Sequence, residues 1–479
     1  MEWRSPTLFI EWKRVCGVVA ALRSWRALDL RRAVRDCHAC CVTMNFMVRS
    51  APFATWLVAF GSLVSLHGQQ EPLEKDHQVE DDPVVKKPRL VRFVYRSHPS
   101  LRVGKALRVD FRAKFHTDFR GFDPFVTTDE GLFDFQRARV GIEGNFLKIF
   151  EFELERELSP HKNPWRDAYG NFRYFKRAQL KAGKFKIPFG RDQLTSPTNL
   201  PFILRSRIGD HLTPARDIGF MFHGRFYERG LNYQVGFFRE DGENAKTRDN
   251  EGTGENVFAA RVTGTPLRLL NVSPHLKNLE IGGAFTNSHV PAGVRGLRGR
   301  TAARETFFPH SNAFGRRIRV GAEAYWNDGP FTVTGEFIHV RDTRTNQGLR
   351  GEDLPNLISR GWYLSGAWVV LGKKKPDQSE PANNFPLHRS LGAVEIGARA
   401  EQIRFGSSEH PGRPSRSLRA ANVLPNSDRA VTMGVNWYMN RFMKVQFNVI
   451  REKIEDVQRS PIGGVSIYWT RMVRMQFVM

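Results

Sequence analysis

The sequence predicts an all-β protein, an antiparallel transmembrane β-barrel, and three observations carry that prediction. From about Ala106 onward, segments of roughly ten residues alternate apolar and polar between clusters of Gly, Asp, Asn and Pro. A leader-like stretch stands ahead of them. All four cysteines (Cys16, Cys37, Cys40 and Cys41) precede it. More than 400 residues follow without a cysteine, which suits passage through an oxidising compartment.

The elements follow in chain order. Cys37-His38-Ala39-Cys40-Cys41 has a C-x-x-C spacing, but no second Cys or His pair stands at finger distance, so no metal site is expected. From Met44 the chain reads as a signal peptide over residues 44–68. Arg49 supplies a positive start, Phe53 to Leu66 a mostly apolar middle, and small and polar residues close it around Gly68. The apolar part is short for a membrane-spanning helix. Translation is therefore expected to begin at Met44 or Met47, leaving residues 1–43 as an over-extended start or a disordered segment. The other reading is a cytoplasmic segment with a signal anchor. Residues 69–104, "EPLEKDHQVEDDPVVKKPR" and its flanks, hold no sustained period and read as a flexible periplasmic lead-in. Residues 105–479 are the barrel.

Period-2 alternation puts one set of side chains on each face of a strand. In "VTMGVNWYM", Val431, Met433, Val435 and Trp437 oppose Thr432, Gly434 and Asn436; in "IRVGAEAYW", Ile318, Val320, Ala322, Ala324 and Trp326 oppose Arg319, Gly321 and Glu323. "LNYQVGFF" and "FTVTGEFIH" divide in the same way. A soluble sandwich would bury the apolar face; a membrane barrel turns it to lipid and lines a wet lumen with the polar face. The leader, the missing cysteines and some fifteen such segments in one uninterrupted run favour the barrel. Trp326, Trp362, Trp437 and Tyr438 suit an interfacial girdle.

Assigned by parity, the lumen holds Arg108, Arg112 and Lys114, then Arg137 and Arg139, then Arg177, Gln179 and Lys181. Glu151, Glu153, Glu155, Glu323, Glu336, Glu395 and Glu401 share that face. Such a mixture either carries a transverse field or pairs internally and keeps a pore wet.

The net charge of +24, from 73 Lys+Arg against 49 Asp+Glu, calls for anionic partners: nucleic acid, a membrane surface or small anions. A nucleic-acid-binding module would cluster its cations with aromatics or on a recognition helix, whereas here they are spread over most strands. An outer-membrane lipase or protease would need a nucleophile near a histidine. His116, His223, His289, His310 and His339 show neither a Gly-x-Ser-x-Gly partner nor His-Glu-x-x-His spacing. A passive channel with no catalysis and no cofactor remains.

Several stretches resemble the phosphate-selective porins O and P of Gram-negative outer membranes. "FDFQRARVGIEGNFLKIFEFELERELS" resembles the family's second and third strands. "LKAGKFKIPFGRDQLTSPTNLPFILRS" resembles its hallmark strand and loop, "VTMGVNWYMNRFMKVQFNV" its penultimate hairpin, and "YWTRMVRMQFVM" its closing strand. The resemblance runs in order over residues 100–479. It implies about 16 strands, a homotrimer, loops folded into the pore, and an arginine ladder leading phosphate or other small anions to constriction lysines. By position, Arg112 and Arg137 match ladder arginines and Lys181 a constriction lysine. Gln136 stands where a second arginine of a pair is expected, and no second constriction lysine is identified. A general porin without a phosphate site is the alternative. The closing strand carries Phe477 in the expected parity but ends in Met479 where the family usually has an aromatic.

"GVRGLRGRTAARE", Gly293 to Glu305, falls where the family places arginine-bearing loop residues, so Arg295, Arg298 and Arg300 are implied ladder members. Glycine spacing lets such a loop fold back, and planar guanidinium forks suit phosphate oxygens. The alternative is an extracellular loop that meets the anionic lipopolysaccharide of the outer membrane.

Overall fold

The computed structural model describes residues 90–479 apart from 96–97, 126–131, 160–163, 228–229, 245–253 and 373–390. The cysteines, the leader-like segment and most of the expected lead-in lie outside the described residues.

Sixteen long strands close into one antiparallel barrel. The first half comprises β3 (Leu107–Asp123), β4 (Phe133–Phe146), β5 (Phe150–Glu157), β6 (Trp165–Phe172), β7 (Gln179–Lys186), β8 (Arg216–Phe226), β9 (Leu231–Glu240) and β10 (Glu255–Gly264). The second comprises β11 (Glu280–Val290), β14 (Gly315–Asp328), β15 (Phe331–Arg344), β16 (Leu354–Leu371), β17 (Ala393–Ser407), β18 (Asn426–Tyr438), β19 (Met443–Ile454) and β20 (Ile467–Val478). Each pairs with its neighbour, and β20 closes on β3 from Trp469↔Asp123 to Val478↔Lys114. Closure reaches the final residue: Met479 exchanges both backbone bonds with Ala113, at 2.8 and 3.0 Å. Phe477 pairs with Phe115 on the outer face.

Residues 91–103 differ from the expected lead-in. β1 (Val91–Tyr95) and β2 (Pro99–Val103) form a hairpin, and β2 pairs with the first turn-side residues of β3, below the end of β20. Five-residue strands are too short to show a period, which is why the sequence read them as irregular.

The alternation sorts as the barrel requires. On β18, Val431, Met433 and Val435 are exposed outward while Asp428, Thr432 and Asn436 are buried inward. Trp437 keeps the outer parity and donates from Nε1 to the Leu391 carbonyl at 2.7 Å; Trp326 does the same to His275 at 2.7 Å. Two of the four expected girdle aromatics do not belong there. Tyr438 points into the lumen, bonding Glu395 at 2.7 Å, because adjacent strand residues take opposite faces. Trp362 faces outward but opposite Phe337, in the middle of its strand.

Most connections at one end are short turns, such as residues 329–330 and 439–442, with 265–279 and 372–392 as longer exceptions, while the other end carries long segments such as 187–215, 291–314 and 408–425. In outer-membrane barrels the long loops face outward and the short turns face the periplasm. Two of the long segments fold inward, and they build the site.

Candidate functional site

The first inward loop, residues 187–215, leaves β7 through Ile187-Pro188-Phe189-Gly190. Gly190 has φ +78, and an added Cβ would lie 2.7 Å from Thr213 Cγ2, so only glycine turns the chain here without strain. Two short helices follow, α1 (Arg191–Leu194) and α2 (Arg207–His211). A chain crossing a lumen must find partners for its backbone, and the wall β15–β20 supplies them. Glu336 accepts from the Arg191 and Asp192 N–H groups at 2.5 and 2.8 Å, and Glu401 from Arg207 N–H at 2.6 Å. Asn448 accepts from Ile203 N–H at 2.7 Å, while Arg474 and Lys444 donate to the Ile203 and Thr198 carbonyls at 2.9 and 2.7 Å. The predicted lumen carboxylates Glu336 and Glu401 are thus anchors. Arg207 adds ion pairs to Glu452 and, at 3.1 Å, to Asp428.

The second inward loop, residues 291–314, contains the arginine-rich stretch and a small hairpin, β12 (Gly299–Arg300) with β13 (Thr306–Phe308). Leu297, Phe307 and Phe308 pack with Phe189, Ile208 and Leu212 of the first loop and Phe405 of the wall. Ala302 N–H bonds both Glu452 oxygens at 2.9 and 3.1 Å, Arg304 pairs with Asp210, and Arg300 N–H donates to His211 Nε2 at 3.1 Å. The stretch lies inside the barrel, on α2. Arg295, Arg298 and Arg300 are half-buried there, and Arg304 is engaged by a carboxylate.

These contacts fix the charge states. Burial raises the Asp210 carboxyl, but Arg304, His211 and Arg300 outweigh it and hold it well below the usual range. Burial, with Arg300 and Arg207, pulls His211 down to about 3 against the attraction of Asp210. The neutral ring carries its proton on Nδ1, which donates to the Arg207 carbonyl at 2.9 Å, leaving Nε2 as the acceptor.

Opposite the first loop stands the wall β3–β8. Arg108, Arg112, Arg137 and Arg139 all point into the lumen, as alternation requires, but most are neutralised. Arg108 pairs with Asp110 at 2.7 Å, Arg112 with Glu143, Lys114 with Glu155, and Arg139 with Glu157 at 2.7 Å and Glu155 at 3.2 Å. Gln136 and Arg137 form a bulge: His116 faces Arg137 and Thr117 faces Phe135, so Gln136 has no partner residue on β3. Gln136 bonds Asp134 at 3.3 Å, and Arg137 Nη1 meets His116 Nδ1 at 3.2 Å.

Arg137, Lys186 and Arg205 carry the remaining charge. Lys186 Nζ donates to the Leu194 and Thr195 carbonyls at 3.0 and 3.1 Å, and Arg205 Nη2 to Thr195 at 2.8 Å. Arg205 Nη1 and Arg137 Nε are buried donors with no acceptor. Arg137 lies in the field of Arg474, Arg139 and Arg205, opposed by Asp118, and Lys186 in that of Arg205, Arg216 and Arg139, opposed by Asp167. Burial lowers the Arg205 pKa, helped by Arg216 and Arg139 and opposed by Asp192 and Asp210. Arg216 itself pairs with Asp167 at 2.6 Å. Arg205 on the loop therefore stands near Arg137 of one wall strand and Lys186 of another, and among the described residues none of the three is ion-paired.

Lys181 stands elsewhere. It lies over the Tyr169 ring at 3.9 Å and the Phe185 ring at 5.5 Å, about 17 Å along β7 from Lys186 at strand spacing. Arg177, expected in the lumen, is exposed in the turn before β7, where its guanidinium lies over Phe226. Alternation does not extend into that turn. Lys186 and Arg205 escaped the sequence reading for related reasons. Lys186 has the parity opposite to Lys181 but ends its strand, and Arg205 sits in a loop without a period.

The family model for phosphate-selective porin O and P matches residues 109–478. Porin O of Pseudomonas aeruginosa is 21% identical over 388 residues, covering 72% of this chain and 82% of that one. Among solved structures, the trimer form of OmpT from Vibrio cholerae superposes with a TM-score of 0.50 at 11% identity, covering 78% of this chain and all of that one. The channel DcaP of Acinetobacter baumannii gives 0.47 at 9% identity, covering 78% and 98%. At 11% identity the Vibrio cholerae structure speaks for the fold alone.

Proposed function

This chain belongs to the phosphate-selective porin O and P family, an outer-membrane channel of Gram-negative bacteria and not an enzyme, and we propose that it passes anions, phosphate or its relatives, through a gap between the first inward loop and the wall β3–β8. The observation that carries this reading is the trio Arg137, Lys186 and Arg205. Arg205 stands near both of the others, among the described residues none of the three is ion-paired, and two of them hold buried N–H donors without acceptors. Mutual repulsion and unmet donors both favour an anion in the gap, where planar guanidinium groups offer paired bonds to phosphate oxygens. Attraction spread over several groups, each partly occupied by a protein partner (carbonyls for Lys186 and Arg205, His116 for Arg137), also lets the ion leave.

The other expected residues take graded parts in this reading. Arg295, Arg298 and Arg300 give the approach from the loop end a positive sign. Arg108, Arg112 and Arg139 are held by carboxylates and act as polar lining. Lys181, beyond the gap, receives ions toward the periplasmic end. A homotrimer is proposed by likeness to the trimer form of the Vibrio cholerae protein.

Addition of inorganic phosphate to the protein in a planar bilayer in potassium chloride tests this reading. Phosphate should reduce the chloride current in a saturable way at millimolar concentrations or below. Unreduced current would leave a general porin.

A further inference from the structure

The outer surface of the wall carries a second cationic feature, at the loop end of β16–β20. Followed from the turn end, the outward side chains of β16 run Val370, Trp368, Leu364 and Trp362, then Arg360; those of β18 run Val435, Met433 and Val431, then Arg429. On β20, Phe477, Met475 and Val473 give way to Arg471, and on β19 Phe447 and Val449 give way to Arg451 and Lys453. On β17 the change comes at Arg404. The switch steps from one cross-strand row to the next: Arg360 faces Arg404, Arg429 faces Lys453, and Arg471 faces Val449. Strands tilt by about 40° in such barrels, so a level belt must step across rows in this manner.

Like charges directly opposite on one face repel, and Arg360 with Arg404 and Arg429 with Lys453 are two such pairs. Arg404 has Glu455 at 2.9 Å; among the described residues no carboxylate pairs with Arg360, Arg429, Arg451, Lys453 or Arg471. The cationic face continues onto the loop end of β14 and β15, where Arg316 and Arg341 are also exposed outward, and within it Arg451 lies over the Trp469 ring; farther round, Arg156 lies over the Trp165 ring and Arg239 pairs with Glu240. The outward cations therefore gather on one side of the barrel, densest on β16–β20. Cations two strands apart stand about 10 Å from each other, a span that suits two phosphates on one disaccharide.

We infer that this belt binds the phosphates of the glycolipid that forms the outer leaflet, seating a bisphosphorylated lipid headgroup against β16–β20 with its chains along the apolar residues below. Anionic headgroups are the one concentrated anion at that level, and clustered Arg and Lys are how membrane proteins recognise them. This surface differs from the arginine-rich stretch at Arg295, which lies inside the barrel, and the inference is independent of what the lumen selects.

The test uses the full-length protein in detergent with purified lipid A in its bisphosphorylated and dephosphorylated forms, bound lipid being counted by native mass spectrometry. Wild type should retain the bisphosphorylated form and release it as salt rises. The triple variant Arg360→Gln, Arg429→Gln, Arg471→Gln should bind on the order of a hundredfold more weakly, and the dephosphorylated lipid should bind neither protein well. Heat-modifiable migration and unchanged ion selectivity establish that the variant is folded, and Arg205→Gln should keep the lipid. Equal retention by wild type and the triple variant, equal binding of the two lipids, or salt-independent binding would each overturn the inference.

Discussion

Glu452 is the residue on which both inward loops converge, and Glu452→Ala is the perturbation whose consequence is most sharply set by the geometry. Its carboxylate is fully buried, accepts the Ala302 N–H of the second loop at 2.9 and 3.1 Å, and pairs with Arg207 of the first. Removing one partner of a buried ion pair costs about 3–5 kcal/mol, because the other charge stays desolvated. Asp428, 3.1 Å from Arg207 Nε, offsets part of this, so the lower end, about 3 kcal/mol, is expected. At about 1.4 kcal/mol per factor of ten, the detached state of the loops gains roughly two powers of ten. The barrel strands keep their ladders, so heat-modifiable migration should be unchanged while single-channel records gain flicker and a larger mean conductance. A variant with the quiet current and conductance of wild type would refute the idea that Glu452 holds the loops.

Two further outcomes follow from the contact between the loops. Arg304 and Asp210 are both about one-quarter exposed, so a double-mutant cycle with Arg304→Ala and Asp210→Ala should give a coupling of about 1 kcal/mol in protection of residues 291–314 from protease; no coupling would contradict the latch. Acid should loosen the same contact. His211 falls from 6.5 to about 3 on folding, so its stabilisation is complete above pH 6.5 and is lost as pH falls toward 3. Asp210, held low by Arg304, adds a loss in the same direction below the ordinary carboxylate range. Flicker frequency should rise by up to about tenfold per pH unit across the His211 window, and His211→Ala should abolish that slope.

Much of the barrel was legible because strand alternation is a local property. Thr432, Asn436, Glu323 and Glu401 face inward as their parity requires, and Val320, Val431 and Met433 face lipid. Pairing was not legible. Arg112 and Arg139 read as open ladder rungs, yet Glu143, Glu155 and Glu157 sit beside them across the sheet, and register comes from turns and bulges that one sequence does not reveal. Gln136 read as a missing rung; the bulge at Gln136 and Arg137 leaves it without a partner residue on β3, beside Asp134. The residues now at the centre of the site are visible in the sequence but not their placement. Arg205 reaches the gap only because Glu336, Glu401 and Asn448, far along the chain, fix the loop's backbone. Tyr438 and Arg177 mark the limits of alternation, at a strand end where one residue changes the face and in a turn where faces no longer exist.

The central claim, that Arg205 on the first loop and the cations of β4 and β7 select anions, is tested most directly by the zero-current potential across a potassium chloride gradient for wild type and Arg205→Glu. The account predicts an anion-selective potential for wild type and a shift toward cation selectivity in the variant, with the barrel intact. A cation-selective wild type, or a potential that Arg205→Glu leaves in place, would contradict it.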